Sequence, residues 1–88
     1  MRQDDFARQA ADTIKTEIRT GRTFAGIALD SPNPQKVRRN AANARKAYRT
    51  AKAWVERTTL KPADRKEIDD QLAALKRDLA KLPTLPPE

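Results

Sequence analysis

Between Ala7 and Ala28, apolar or small residues recur at alternating intervals of four and three: Ala7, Ala11, Ile14, Ile18, Gly21, Ala25 and Ala28. That interval is the period of one helix face. Phe24 and Ile27 widen the stripe, and the pattern predicts a first helix over about 4–29. Asp4 and Asp5 are the candidate caps. Gly21 costs a helix about 1 kcal/mol relative to alanine. The expectation is still a single helix, with Gly21 the place where it would bend.

The same rule holds twice more. Val37, Ala41, Ala44, Tyr48, Ala51 and Val55 form a second stripe flanked by Ala47 and Trp54, predicting a helix over about 34–58. Ile68, Leu72, Leu75, Leu79 and Leu82 form the third, predicting a helix over about 62–82. No strand-like alternation occurs.

Proline sets the joints. In Asp30-Ser31-Pro32-Asn33-Pro34, the residue before each proline is pushed out of the α region. Asn33 then reads as an N-cap, with Pro34 at the first helical position, where a missing N–H is harmless. In Thr58-Thr59-Leu60-Lys61-Pro62, Pro62 opens the third helix and Asp64 complements its dipole. Lys61 is a poor cap, so proline alone marks that start. Pro83, Pro86 and Pro87 end the pattern. Residues 1–82 are thus one domain, followed by a proline-rich tail over 83–88.

Three helices with one apolar stripe each and short connections predict an all-α, antiparallel three-helix bundle. The middle helix is central in sequence and in electrostatics. Its alanines let neighbours approach closely, and the third helix supplies bulk. The core is thin. The 88 residues include 15 alanines but only 18 larger apolar side chains. A chain of this size buries a modest share of its surface, so self-association or partner binding would add to its stability. Trp54 and Phe6 are the candidate exposed apolar residues, and a homodimer through them is one expectation.

The net charge of +7 changes the picture because it sits in one place. Residues 1–31 and 61–88 each balance bases against acids. Residues 32–60 carry eight bases against Glu56 alone. With Val37 at zero and about 100° per residue, Arg38, Arg39, Arg45, Lys46, Arg49, Lys52 and Arg57 fall between roughly 60° and 200°. The apolar stripe lies within roughly 40° of zero. A solvated helix face normally mixes signs, as Arg65, Lys66, Asp69 and Asp70 do in the third helix. The middle helix does not, and these seven bases form the candidate face for an anionic partner. Trp54 lies on the opposite flank, so the interleaved aromatics of a single-strand stacking surface are missing.

The chain contains no cysteine and no histidine. Disulfides, thiolate or histidine zinc sites, and Ser-His-Asp or Cys-His catalysis are thereby excluded. Glu67 and Asp70 share a face, but among nearby bases they read as surface charge rather than a metal site. Arg65 with Asp69 and Lys66 with Asp70 read as i, i+4 pairs. Two glycines cannot build a phosphate loop. Pro83-Thr84-Leu85-Pro86 has Pro-x-x-Pro spacing without a basic anchor and reads as a frayed tail. No catalytic residue, cofactor or metal is expected. No apolar run approaches the roughly 18 residues of a membrane span, and no apolar signal region follows Met1-Arg2-Gln3-Asp4-Asp5. The expectation is a soluble, cytoplasmic, bacterial protein without a membrane partner.

Ala44-x-x-x-Tyr48-x-x-Ala51 resembles the second helix of a tetratricopeptide unit, and Gly21-x-x-Phe24 resembles part of the first. A solenoid needs about three such units, and this chain holds one. It is therefore more similar to single three-helix modules such as microtubule-interacting-and-transport domains. The stretch Asn43-Ala44-Arg45-Lys46-Ala47-Tyr48 also resembles short bacterial helical proteins. The resemblance implies a module that binds through a helix groove, and carries over no functional residue. The expected function is a small non-enzymatic protein-interaction module presenting the basic middle helix and an apolar inter-helix groove to an acidic protein. The alternative is sequence-nonspecific nucleic-acid binding through the same basic face.

Overall fold

The computed structural model describes residues 3–83, with side chains from Phe6 onward. It contains three helices: α1 (Gln3–Asp30), α2 (Pro34–Arg57) and α3 (Pro62–Ala80). The molecule measures 48 × 20 × 17 Å. At 1.5 Å per residue α1 alone is about 42 Å long, so the other two helices lie alongside it. The chain runs up, down and up in an all-α three-helix bundle.

The joints are local chemistry. Asn33 has extended backbone, and its Oδ1 accepts from the amides of Gln35 at 2.9 Å and Lys36 at 3.3 Å. Two N–H groups that would otherwise lack a helical partner are thereby satisfied. Lys61 makes no side-chain cap, and Pro62 starts α3 with Asp64 in the first turn. Three boundaries depart from the periodicity. Asp4 and Asp5 lie inside α1 rather than capping it. α2 closes at Arg57, with Thr58 extended. α3 closes at Ala80, and a tighter turn follows in which Leu82 N donates to Leu79 O at 3.1 Å. That turn still buries Leu82, which is 7% exposed. The Pro-x-x-Pro spacing falls mostly on residues 84–88, outside the described residues.

The core is two linked clusters. One joins Ala11, Ile14 and Ile18 of α1 to Ala51 and Val55 of α2 and to Ile68 and Leu75 of α3. The other joins Ala28, Val37, Ala41 and Leu82. α1, rather than the middle helix, is the packing hub: it contacts α2 most, and α2 and α3 touch each other least. α1 runs unbroken through Gly21, which has no positive φ. The residue is buried, and its missing side chain is a matter of space. A Cβ there would stand 2.9 Å from Ala47 Cβ and 3.0 Å from Leu75 Cδ2.

Ion pairs tie α1 to α3. Lys15 Nζ donates to Asp64 Oδ1 at 3.2 Å and to Glu67 Oε2 at 2.9 Å, and Arg22 Nε donates to Asp78 Oδ2 at 2.8 Å. The pairs rise together along both helices, as parallel neighbours require. The hydrogen bonds to Glu67 and then to Asp64 hold the Lys15 ammonium above its ordinary pKa, with partial burial opposing them. The expected pairs Arg65–Asp69 and Lys66–Asp70 form at 3.1 Å each.

Side chains depart from what their spacing implied in four ways. Ile27 is 39% exposed and does not widen the α1 stripe. Trp54, expected outside, is half-buried against the larger cluster. Ala47 is buried while Tyr48 stays half-buried. Asn40 is buried at 8% exposure, its Nδ2 donating to Lys36 O at 2.8 Å. The last three changes have one cause. The buried arc of α2 runs from Ala47 and Asn40 to Ala41, roughly 30° away from the centre that the bulky residues mark. Small side chains pack closer to α1 than Tyr48 could.

Candidate anionic-partner surface

The rotation of α2 toward α1 leaves its opposite side in solvent. Of the seven candidate bases, Arg39, Arg45, Lys46, Arg49, Lys52 and Arg57 are exposed. Arg38 is half-buried and already engaged, so it belongs to the margin of the face. None of the six exposed bases lies within ion-pair distance of a carboxylate among the described residues, whereas Lys15, Arg22, Arg65 and Lys66 all do. The carboxylates in these pairs, Asp64, Glu67, Asp69, Asp70 and Asp78, all stand on α3. Only Glu56 shares the helix with the bases.

The six bases form two rows. Arg45, Arg49 and Lys52 lie at roughly 60–120°, the row nearer the buried stripe, with Glu56 at roughly 100° among them. Arg39, Lys46 and Arg57 lie at roughly 180–200°, the outer row, opposite the apolar stripe. The second row spans about 27 Å from Arg39 to Arg57. Between the rows stand Ala42 and Ala53, so the face carries charge without a bulky apolar residue. An excess of like charges along one helix creates a positive potential and attracts an anion over a Debye length of about 10 Å in 0.1 M salt.

The structure also holds a groove of mixed apolar and polar lining. It is at one end of the bundle, where the start of α1 meets the α2–α3 connection. Phe6, Ala7 and Ala10 come from α1, and Arg57, Thr58, Thr59, Leu60 and Lys61 come from the end of α2 and the connection. Its volume is about 550 Å³. Phe6 is 59% exposed, the most exposed of the large apolar side chains described. Sequence did hold a signal for this groove. Phe6 and Ala10 are one helical turn apart on the flank of the α1 stripe, off its main line. Ile27 and Leu29, the other exposed large apolar residues described, are about 30 Å away along α1. Phe6, Ile27 and Leu29 therefore do not form one continuous apolar face.

Among the described residues no group of three or more acidic side chains is placed to hold a metal ion. Glu67 is bound to Lys15 and Asp70 to Lys66. No described helix is long and apolar enough to cross a membrane. No family model matches the chain, and neither a curated protein nor a solved structure shows significant similarity to it.

Proposed function

We propose that the chain is a small non-enzymatic interaction module that docks an acidic protein on the outer face of α2. One observation carries this reading: six exposed bases stand on a single helix face with no ion pair among the described residues, while Lys15 and Arg22 of α1 and Arg65 and Lys66 of α3 are paired. An external anion there displaces no ion pair among the described residues. The resemblance of the Ala44–Ala51 stretch to helix-groove modules points the same way.

Nucleic-acid binding is the second reading. It is favoured by the absence of any bulky side chain between the two rows, because a phosphate backbone needs cations and no apolar anchor. Such binding would be indifferent to sequence. Ala42 and Ala53 cannot read base edges, and the face offers no Asn or Gln between the rows for a bidentate contact.

Salt titration against both probes tests the two readings. An acidic helical peptide and a duplex RNA are each titrated at about 50 mM salt and above, where exposed charges become progressively screened. Peptide binding that is lost in the Arg45→Glu/Arg49→Glu variant, with helicity unchanged by circular dichroism, supports the module. Duplex binding with a log–log salt slope near −3.6, the value for about four neutralised phosphates on B-type DNA, supports the alternative. Binding to neither probe refutes both.

A further inference from the structure

We infer, resting on the acidic-protein reading above, that the groove beside Phe6 is the anchor pocket of the same surface. It takes one bulky apolar side chain from an acidic segment whose carboxylates run along Arg57, Lys46 and Arg39. Arg57 joins the two features: it closes the outer row of bases and also lines the groove. The row therefore leads an anionic chain to the groove rather than past it. Along the helix axis, Lys46 stands about 16 Å and Arg39 about 27 Å from Arg57.

The charge of the groove selects the occupant. Of its charged residues, Lys61 is already engaged and Arg57 is exposed with no ion pair among the described residues, and no carboxylate lines the groove among those residues. Its apolar lining is Phe6, Ala7, Ala10 and Leu60, beside the hydroxyl-bearing Thr58 and Thr59. A cationic segment would be repelled, and a purely charged one would leave the apolar walls wet. A segment that is acidic with one large aliphatic or aromatic residue at its end satisfies both. The volume of about 550 Å³ lies in the range of pockets that take small-molecule ligands, and leaves room for one large side chain.

Energetics require such an anchor. Exposed charge pairs contribute little each and set rate and orientation more than affinity. Protein interfaces draw most of their affinity from a few buried, well-packed side chains. The outer face of α2 offers only Ala42 and Ala53, so the anchor must lie beyond it, and the groove adjoins its end. A single-stranded nucleic acid fits less well. It would need stacking platforms along the track, and Phe6 stands at one end only.

The decisive experiment compares two labelled helical peptides of about 20 residues, long enough at 1.5 Å per residue to span the row. Both are built from Glu and Ala, and one carries Leu-Phe at a terminus where the other carries Ala-Ala; each terminus is tried. Fluorescence anisotropy with the full chain at low salt should show the Leu-Phe peptide binding about tenfold tighter or better. Phe6→Ser should bring its affinity down to that of the Ala-Ala peptide without moving the melting temperature, because Phe6 is largely exposed. Ala10→Gln, which fills the groove from within α1, should do the same. Equal affinity of the wild-type chain for both peptides overturns the anchor and leaves the basic face standing. Binding of duplex RNA with neither peptide bound overturns the acidic-protein reading itself, and the anchor with it.

Discussion

Gly21 and Ala47 face each other across the α1–α2 interface with no room for a methyl group between them: a Cβ on Gly21 would stand 2.9 Å from Ala47 Cβ. Gly26, five residues later on the same helix, has nothing within 4 Å of such a Cβ. The two glycines should therefore respond oppositely to one substitution. Gly26→Ala should stabilise the protein by about 0.5–1 kcal/mol, the helix-propensity gain. Gly21→Ala has the same propensity gain but meets the rigid Ala47 Cβ, so α1 and α2 must separate, at a net cost of about 1–3 kcal/mol. Urea denaturation of both variants checks the sign.

Leu75 and Leu72 share one stripe in sequence but not one environment. Leu75 is 0% exposed between α1 and α3, and Leu72 is half-buried at its edge. Leu75→Ala should cost about 2–5 kcal/mol, and Leu72→Ala clearly less. Equal losses in thermal or denaturant unfolding would mean that α3 is rotated from the orientation described.

Asn33 satisfies two amides at the start of α2. Asn33→Ala should cost about 0.5–2 kcal/mol, and Asn33→Asp, which keeps the acceptor, only a small fraction of that. The comparison separates the cap from any general effect of changing the loop.

Lys15 makes stability depend on pH at the alkaline end. Its folded pKa is raised above the ordinary 10.5 by hydrogen bonds to Glu67 and Asp64. The charged form is favoured in the fold, so its contribution is complete below about pH 10.5 and is lost as pH rises through the folded value. Lys15→Met should lower the melting temperature at pH 7. The gap from wild type should narrow above pH 10.5. A constant gap across that range would show that Lys15 acts by packing its stem rather than by charge.

The helices, their joints and the segregation of charge are all legible in the sequence, because each is a local property. A four-three spacing from Ala7 to Ala28, an Asn33-Pro34 pair and eight bases against Glu56 need no knowledge of what lies across the bundle. The face of α2 that meets solvent follows as well, since its bases lie opposite its alanines. Tertiary structure alone decided the rest. Bulk placed Tyr48 at the centre of the α2 stripe. Close approach at Gly21 instead turned the helix toward Ala47 and Asn40, and drew Trp54 against the core. The pairing of Lys15 with Asp64 and Glu67 joins residues about fifty positions apart, and the groove beside Phe6 joins the first turns of α1 to residues 57–61. Periodicity reports how one helix divides its own surface. Distances between helices depend on how small side chains on one nest against those of another, and no single segment carries that information.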